Sequence, residues 1–289
     1  MLPRVPEEYR LSLNEGDTPL AEKNGLFFKC EYENPTGSIK DRGLCFQISR
    51  LFERKIKKAV ISSSGNAGIS AAAYCRLAGI DLTVFVSPKI NITKLDILKK
   101  QAEVVITPRP VSSAFQTALW DKAHNLRQST DTEAPVGFET VSFELTESAG
   151  IPDDIFLPVS SGTAMKGIYD GFKKSGRLPR FHAVQTSRIN PLAAHFDHDF
   201  TPETESLAEG IVARSLPREK ELLHIIRDSS GSGWVIQNLQ MEEAKTELDR
   251  LGFETSFEGA AAYAAVKKAQ VSGFRLGRTV VILTGKHYG

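Results

Sequence analysis

The sequence predicts an α/β protein built from open, mostly parallel sheets flanked by helices. Three observations carry that prediction. Short apolar runs alternate with helical runs along most of the chain. Turns of Ser and Gly join several of those strands directly to the helix that follows. The 289 residues suffice for a large core divided into two lobes.

The elements follow in order. Residues 25–31 read as a short strand and 41–52 as a helix. A second apolar strand spans 58–62, and the alanine-rich run 67–77 is a helix stopped at Gly79. Residues 82–86 form a strand, 92–100 a helix, 104–107 a strand and 112–126 a helix. After a less regular stretch, 138–148 reads as a helix and 155–159 as a strand. A Ser/Gly turn and a helix to residue 174 come next, then a strand over 181–185. The run 188–207, with two prolines and two histidines, is loop-like. A helix over 240–251 ends at Gly252, a second alanine-rich helix spans 259–270, and 279–283 is a final apolar strand.

Charge narrows the partners. With 36 basic and 35 acidic residues the net charge is +1, so no polycation exists to track a nucleic acid. No basic block suggests a membrane surface, and no apolar run reaches the length of a membrane span. Residues 1–10 carry charges and two prolines but no apolar signal-peptide core. Cys30, Cys45 and Cys75 are scattered and odd in number, as expected of reduced thiols in a cytoplasmic protein. His195 and His198 lack helical periodicity and a third ligand, so no metal is expected. A small-molecule partner fits best.

Four segments could carry chemistry. Residues 34–43, Asn-Pro-Thr-Gly-Ser-Ile-Lys-Asp-Arg-Gly, place Lys40 in the first turn of a helix. Ser38 is the expected N-cap, with Asp41 three residues on as a weak capping box. The positive end of the helix dipole disfavours an ammonium there, and a neutral amine is what Schiff-base chemistry needs. The ordinary alternative is a surface lysine. Residues 62–68, Ser-Ser-Ser-Gly-Asn-Ala-Gly, link a strand to a helix and could hold an anion on backbone N–H groups. A nucleotide-phosphate loop is an alternative, although neither a dinucleotide fingerprint nor a Walker lysine is present. Residues 158–164, Pro-Val-Ser-Ser-Gly-Thr-Ala, repeat the same strand–turn–helix logic. Residues 281–287, Val-Ile-Leu-Thr-Gly-Lys-His, place Thr284 just after the last strand.

These segments resemble those of the fold-type II pyridoxal-phosphate enzymes, which include threonine synthase, the threonine and serine dehydratases and cysteine synthase. The resemblance runs from about residue 13 to 287. It implies pyridoxal 5'-phosphate as cofactor, with Lys40 carrying it as a Schiff base and moving protons. It implies that Asn66 hydrogen-bonds the cofactor's phenolic oxygen. Ser63, Ser64, Gly65, Asn66 and Ala67 would hold the substrate carboxylate. Ser160, Ser161, Gly162 and Thr163 would hold the cofactor phosphate, and the Thr284 hydroxyl would face the ring nitrogen. A neutral hydroxyl there makes the ring a weaker electron sink, which suits elimination and replacement at the β or γ carbon.

Two further segments resemble threonine synthases: 13–20, Leu-Asn-Glu-Gly-Asp-Thr-Pro-Leu, and 257–261, Phe-Glu-Gly-Ala-Ala. The resemblance implies a two-lobed fold, with residues 1–44 and 145–289 as a large cofactor lobe and 45–144 as a small inserted lobe. It also implies a small amino-acid substrate and a homodimer. Residues 132–138 depart from threonine synthases, lacking the asparagine pair and arginine that help bind a substrate phosphate. A β-elimination or β-replacement enzyme is the competing activity. A non-catalytic protein that binds the cofactor or an amino acid is the reading from another class.

Overall fold

The computed structural model describes residues 5–213 and 215–288. Its regular elements are, in chain order, β1 (Leu20–Lys23), β2 (Leu26–Lys29), α1 (Lys40–Glu53), β3 (Lys58–Ser62), α2 (Asn66–Ala78), β4 (Asp81–Val86), α3 (Ile92–Lys99), β5 (Glu103–Ile106), α4 (Pro110–Trp120) and β6 (His124–Asn125). There follow α5 (Glu139–Ala149), β7 (Asp154–Pro158), α6 (Thr163–Lys174), β8 (Arg180–Thr186), α7 (Glu219–Asp228), β9 (Ser232–Ile236), α8 (Asn238–Arg250), α9 (Phe257–Val271) and β10 (Thr279–Ile282). Among the described residues these group into two compact units. One comprises 5–15, 34–137 and Tyr288, and the other 16–33 and 138–287.

The first unit holds a four-stranded, all-parallel sheet in the order β5-β4-β3-β6. Parallel strands need covered faces, and the strand residues are accordingly apolar runs. Its main core joins Leu44, Ile48 and Leu51 of α1, Ile69, Ala72 and Cys75 of α2, and Ile61, Val84 and Val86 of the sheet. Small side chains on α2 let it lie close to both α1 and the strands. Gly79 ends α2 in the left-handed conformation, as the sequence predicts.

The second unit holds a six-stranded sheet in the order β1-β2-β10-β7-β8-β9, parallel throughout except for the β1–β2 hairpin. The hairpin turns at Asn24 and Gly25, both at positive φ (54° and 75°), the geometry a tight two-residue loop needs. The alanine-rich α9 lies in the core with Phe28, Phe156, Met241 and Val281.

Most expected elements are present within a few residues. The helix expected over 112–126 stops at Trp120, and His124–Asn125 instead pairs with β3 as a short edge strand. The strands β1 and β9 and the helix α7 are additions to the sequence reading. Residues 188–207 are irregular apart from one 3-10 turn at Ala193–His195. All three cysteines are buried and unbridged. Among the described residues no helix is long and apolar enough to cross a membrane.

Candidate active site

In the first unit the lysine segment forms a tight turn that runs directly into α1. Lys40 is the first residue of that helix. The N-cap position falls to Ile39 and not to Ser38, which stands one residue earlier and accepts from the Lys40 N–H through Oγ at 3.3 Å. The expected capping box is replaced by a different device. The Asp41 carboxylate turns back to accept from the Thr36 N–H at 2.7 Å and from the Thr36 hydroxyl. Tyr288 donates its hydroxyl to the Thr36 carbonyl at 2.9 Å and pins the turn from outside. Lys40 is half-buried, and burial pushes its amine down from 10.5 to about 8. The direction is the one the helix position predicts, but removal from water is the cause.

The Ser62–Gly68 segment sits at the carboxyl end of β3 and opens α2. Ser63 Oγ accepts from the N–H groups of Gly65 at 3.3 Å and Gly68 at 3.1 Å, and so shapes the loop. Ser64 Oγ accepts from the Ser87 N–H at 2.8 Å, a partner the sequence reading did not name. Gly65 and Ala67 are half-buried beside them. A β-carbon at Gly68 would approach the Ser63 carbonyl oxygen to 2.7 Å, so the loop closes only around glycine. Asn66 Oδ1 is buried and has no hydrogen-bond partner. Ser70, one turn on in α2, is buried and lies near enough to the Asp41 carboxyl to favour its charge, which sets the start of α1 beside the start of α2. Lys40 and Asn66 therefore open two neighbouring helices at one end of this unit.

In the second unit the 158–164 segment leaves the carboxyl end of β7. Gly162 caps α6 in the left-handed conformation, φ 77°. A β-carbon there would also collide with Leu222 of α7. Thr163 is fully buried, with its hydroxyl 3.1 Å from that of Ser161. Gln185 donates to the Val159 carbonyl at 3.2 Å and accepts from the Leu192 and Ala193 N–H groups, which braces the loop from β8. Ser160 and Ser161 are half-buried at a helix N-terminus with unsatisfied backbone donors. Thr284 leaves the neighbouring parallel strand. The register Val281↔Phe156 sets Thr284 level with Val159, so both segments emerge at the same end of the sheet.

Three basic residues stand apart from this geometry. Lys286 is 52% exposed and lies 3.9 Å from Glu254. Arg109 and Arg188 are exposed. Glu258 does begin α9, but its carboxylate is occupied by the Gly210 N–H at 2.7 Å.

The chain belongs to the pyridoxal-phosphate dependent enzymes, whose family model matches residues 11–285. Its cofactor is pyridoxal phosphate. Among curated relatives it is 27% identical to a threonine synthase of Methanosarcina acetivorans, over 97% of this chain and 76% of that protein. It is 26% identical to an L-threonine ammonia-lyase of Geobacter sulfurreducens, over 92% of this chain and 68% of that one. Among solved structures the maize serine racemase shares its fold, with a TM-score of 0.83 at 22% identity over 94% of this chain and 88% of that one.

Each unit, taken by itself, offers residues that fit that cofactor. The orphaned Asn66 carbonyl oxygen marks a polar group built for a partner outside the chain. The half-buried lysine supplies an amine near neutrality. The Ser160–Thr163 turn offers hydroxyls and helix N–H groups of the kind that hold a phosphate.

Proposed function

We propose that this enzyme is a threonine synthase, converting O-phosphohomoserine and water to threonine and phosphate. The observation that carries the reading is similarity to a threonine synthase along nearly the whole chain. Pyridoxal phosphate, when bound, supplies the electron sink that makes an amino acid's Cα–H acidic.

The chain's own residues do the rest. Lys40 Nζ would hold the cofactor and would take and return protons at the substrate carbons. An amine near 8 is partly neutral at physiological pH and is suited to that shuttle. Asn66 orients the ring through its side-chain amide. Ser63, Ser64, Gly65, Asn66 and Ala67 receive the substrate carboxylate. The Ser64 hydroxyl already accepts from the Ser87 N–H, so it keeps its proton to donate outward, whereas Ser63 turns its own toward the Gly65 carbonyl and shapes the loop. Ser160, Ser161, Gly162 and Thr163 hold the cofactor phosphate at the start of α6. The Thr284 hydroxyl would serve the ring nitrogen as a neutral partner.

A second reading rests on residues 132–138 and Lys286. The asparagine pair and arginine expected of threonine synthases are missing from 132–138. Gly137 is instead packed on the Arg42 backbone with no room for a side chain. Lys286 is solvent-exposed beside Glu254, not drawn inward as a phosphate clamp. These features favour β-elimination from serine or threonine, or a β-replacement.

The deciding experiment measures amino acid and phosphate from O-phosphohomoserine with cofactor-loaded protein. Threonine and phosphate in equal amounts are expected. Absence of both, with oxo-acid and ammonia formed from serine or threonine, replaces the first reading by the second.

A further inference from the structure

A cavity of about 370 Å³ opens in the first unit where the far half of α1, the edge strand β6 and residues 127–133 meet. That volume is in the range of small-molecule sites. The cavity shares no residue with the segments proposed for cofactor or substrate. Arg50, on its wall, lies about 15 Å along α1 from Lys40. Hydrogen bonds fix the walls. Gln47 Nε2 donates to Asp131 at 2.6 Å, and Gln47 Oε1 accepts from Gln128 at 3.0 Å. Asp131 also accepts from the Glu133 N–H at 2.7 Å. Glu133 pairs with Arg54 at 2.8 Å and with Arg50, which also pairs with Glu53.

Two groups of the lining are left over. Asn125 Oδ1 is shielded from water and has no hydrogen-bond partner, a state that native proteins seldom leave unexplained. Arg127 spends its Nε on the Ser129 hydroxyl at 3.1 Å and has no ion-pair partner among the described residues. Its two terminal nitrogens form a fork suited to a carboxylate. The backbone sets the two groups side by side. Asn125 pairs with Val60 of β3, and the Leu126 N–H continues the pairing to the Val60 carbonyl at 2.9 Å. Side chains alternate along an extended run. Leu126 accordingly turns into the core, fully buried, while Asn125 and Arg127 line the cavity. Two residues along a strand span about 6.5 Å, a distance that a molecule of two or three carbons bridges.

We infer that this cavity binds a small carboxylic acid with a hydrogen-bond donor on the neighbouring carbon, an α-hydroxy or α-amino acid. Arg127 takes the carboxylate, and Asn125 Oδ1 accepts from the hydroxyl or the amine. An inorganic anion would satisfy Arg127 alone, and a neutral molecule Asn125 alone. The site stands on the helix that Lys40 opens, yet apart from the residues proposed for the reaction. That is the place of an effector, not of a substrate. Binding here is independent of which reaction the enzyme carries out.

The test is calorimetric titration of the cofactor-loaded full chain with L-lactate, L-alanine, acetate and chloride. Saturable binding of lactate or alanine is expected, about tenfold tighter than acetate, which lacks the donor. Whichever of the two binds identifies the donor as hydroxyl or amine. Arg127→Ser should weaken binding about tenfold or more. Asn125→Ala should abolish the preference over acetate. Both variants should keep their circular dichroism and cofactor absorbance, because Arg127 is exposed and the Asn125 oxygen has no partner in the chain. Ser64→Ala, in the candidate active site, should leave this binding unchanged. Absence of saturable binding by both acids overturns the inference. Binding that Ser64→Ala removes and that Arg127→Ser and Asn125→Ala leave intact also overturns it, by assigning the heat to the candidate active site. Acetate or chloride binding as tightly as lactate and alanine leaves an adventitious ion only, and overturns it equally.

Discussion

Lys40, proposed above as the residue that holds the cofactor, gives up stability by its burial. Burial holds its amine near 8, whereas an unfolded chain titrates it near its ordinary 10.5. Between those values the unfolded state binds more protons, so this residue's contribution makes the fold more stable as pH rises. Below about 8 the full penalty is present. Lys40→Met should therefore stabilise the cofactor-free protein at pH 7 by up to about 3 kcal/mol, with the gain disappearing above about 10.5. Urea unfolding at both pH values checks it, and a gain independent of pH contradicts the account. Asn66 is the complementary case. Its buried carbonyl oxygen has no partner in the chain, so Asn66→Ala should leave stability almost unchanged yet lower kcat/KM roughly 10²-fold. Parallel thermal melts and steady-state rates separate the two effects. Asn66 and Lys40 both stood out as candidates in the sequence, on the resemblance of their segments to the family's and on their small-residue turns before a helix. The reason for the low lysine pKa was not legible, since burial is a property of the fold.

At the scale of elements, turns and buried networks decide what the strands can present. Gly162 needs a positive φ of 77° and the space occupied by Leu222. Gly162→Ala should cost about 1–3 kcal/mol and weaken cofactor binding. Denaturant unfolding and cofactor titration should change together, and a loss of neither would show that α7 simply yields. The sequence reading did not include α7, although Leu222, Ile225 and Ile226 follow helical spacing and are all buried.

A second network lies at the other end of the same sheet. Trp234 Nε1 donates to His182 Nδ1 at 3.1 Å, which leaves Nε2–H to donate to Asp154 at 2.9 Å. Arg180 also reaches Asp154, at 2.7 Å. Burial raises the Asp154 carboxyl, but the bonds from His182 and Arg180 outweigh it and bring it below its usual range. Burial lowers His182 as well. Both groups lose stability on acidification. The His182 contribution fades as pH falls from 6.5 through its folded value, and that of Asp154 as pH falls from 3.8 through its own. Asp154→Ala should cost about 3 kcal/mol at neutral pH, because it strands the buried His182 and removes the partner of half-buried Arg180. A shallower acid-unfolding curve, followed by Trp234 fluorescence, should accompany that loss.

For the whole molecule, cofactor binding and folding are linked. A ligand held by the folded chain alone stabilises it by about 2.7 kcal/mol at a hundredfold excess over its Kd. Pyridoxal phosphate should raise the melting temperature by several degrees in wild type and by markedly less in Lys40→Ala. Equal shifts in both proteins would mean that the lysine takes no part in holding the cofactor.

The sequence by itself determined the alternation of strands and helices, the parallel sheets and the four segments proposed to carry chemistry. Each is a local matter: apolar periodicity, turn residues, and a lysine opening a helix. Only the tertiary structure decided which strands became neighbours, so that the turns after β7 and β10 leave the same end of one sheet. It alone revealed that Leu222 reserves residue 162 for glycine, and that the Asp41 carboxylate turns back to hold the Thr36 turn. It also showed that α4 keeps its alanines inside and its large apolar side chains in water. These features depend on residues far apart in sequence, and periodicity along one segment carries no information about what packs against it.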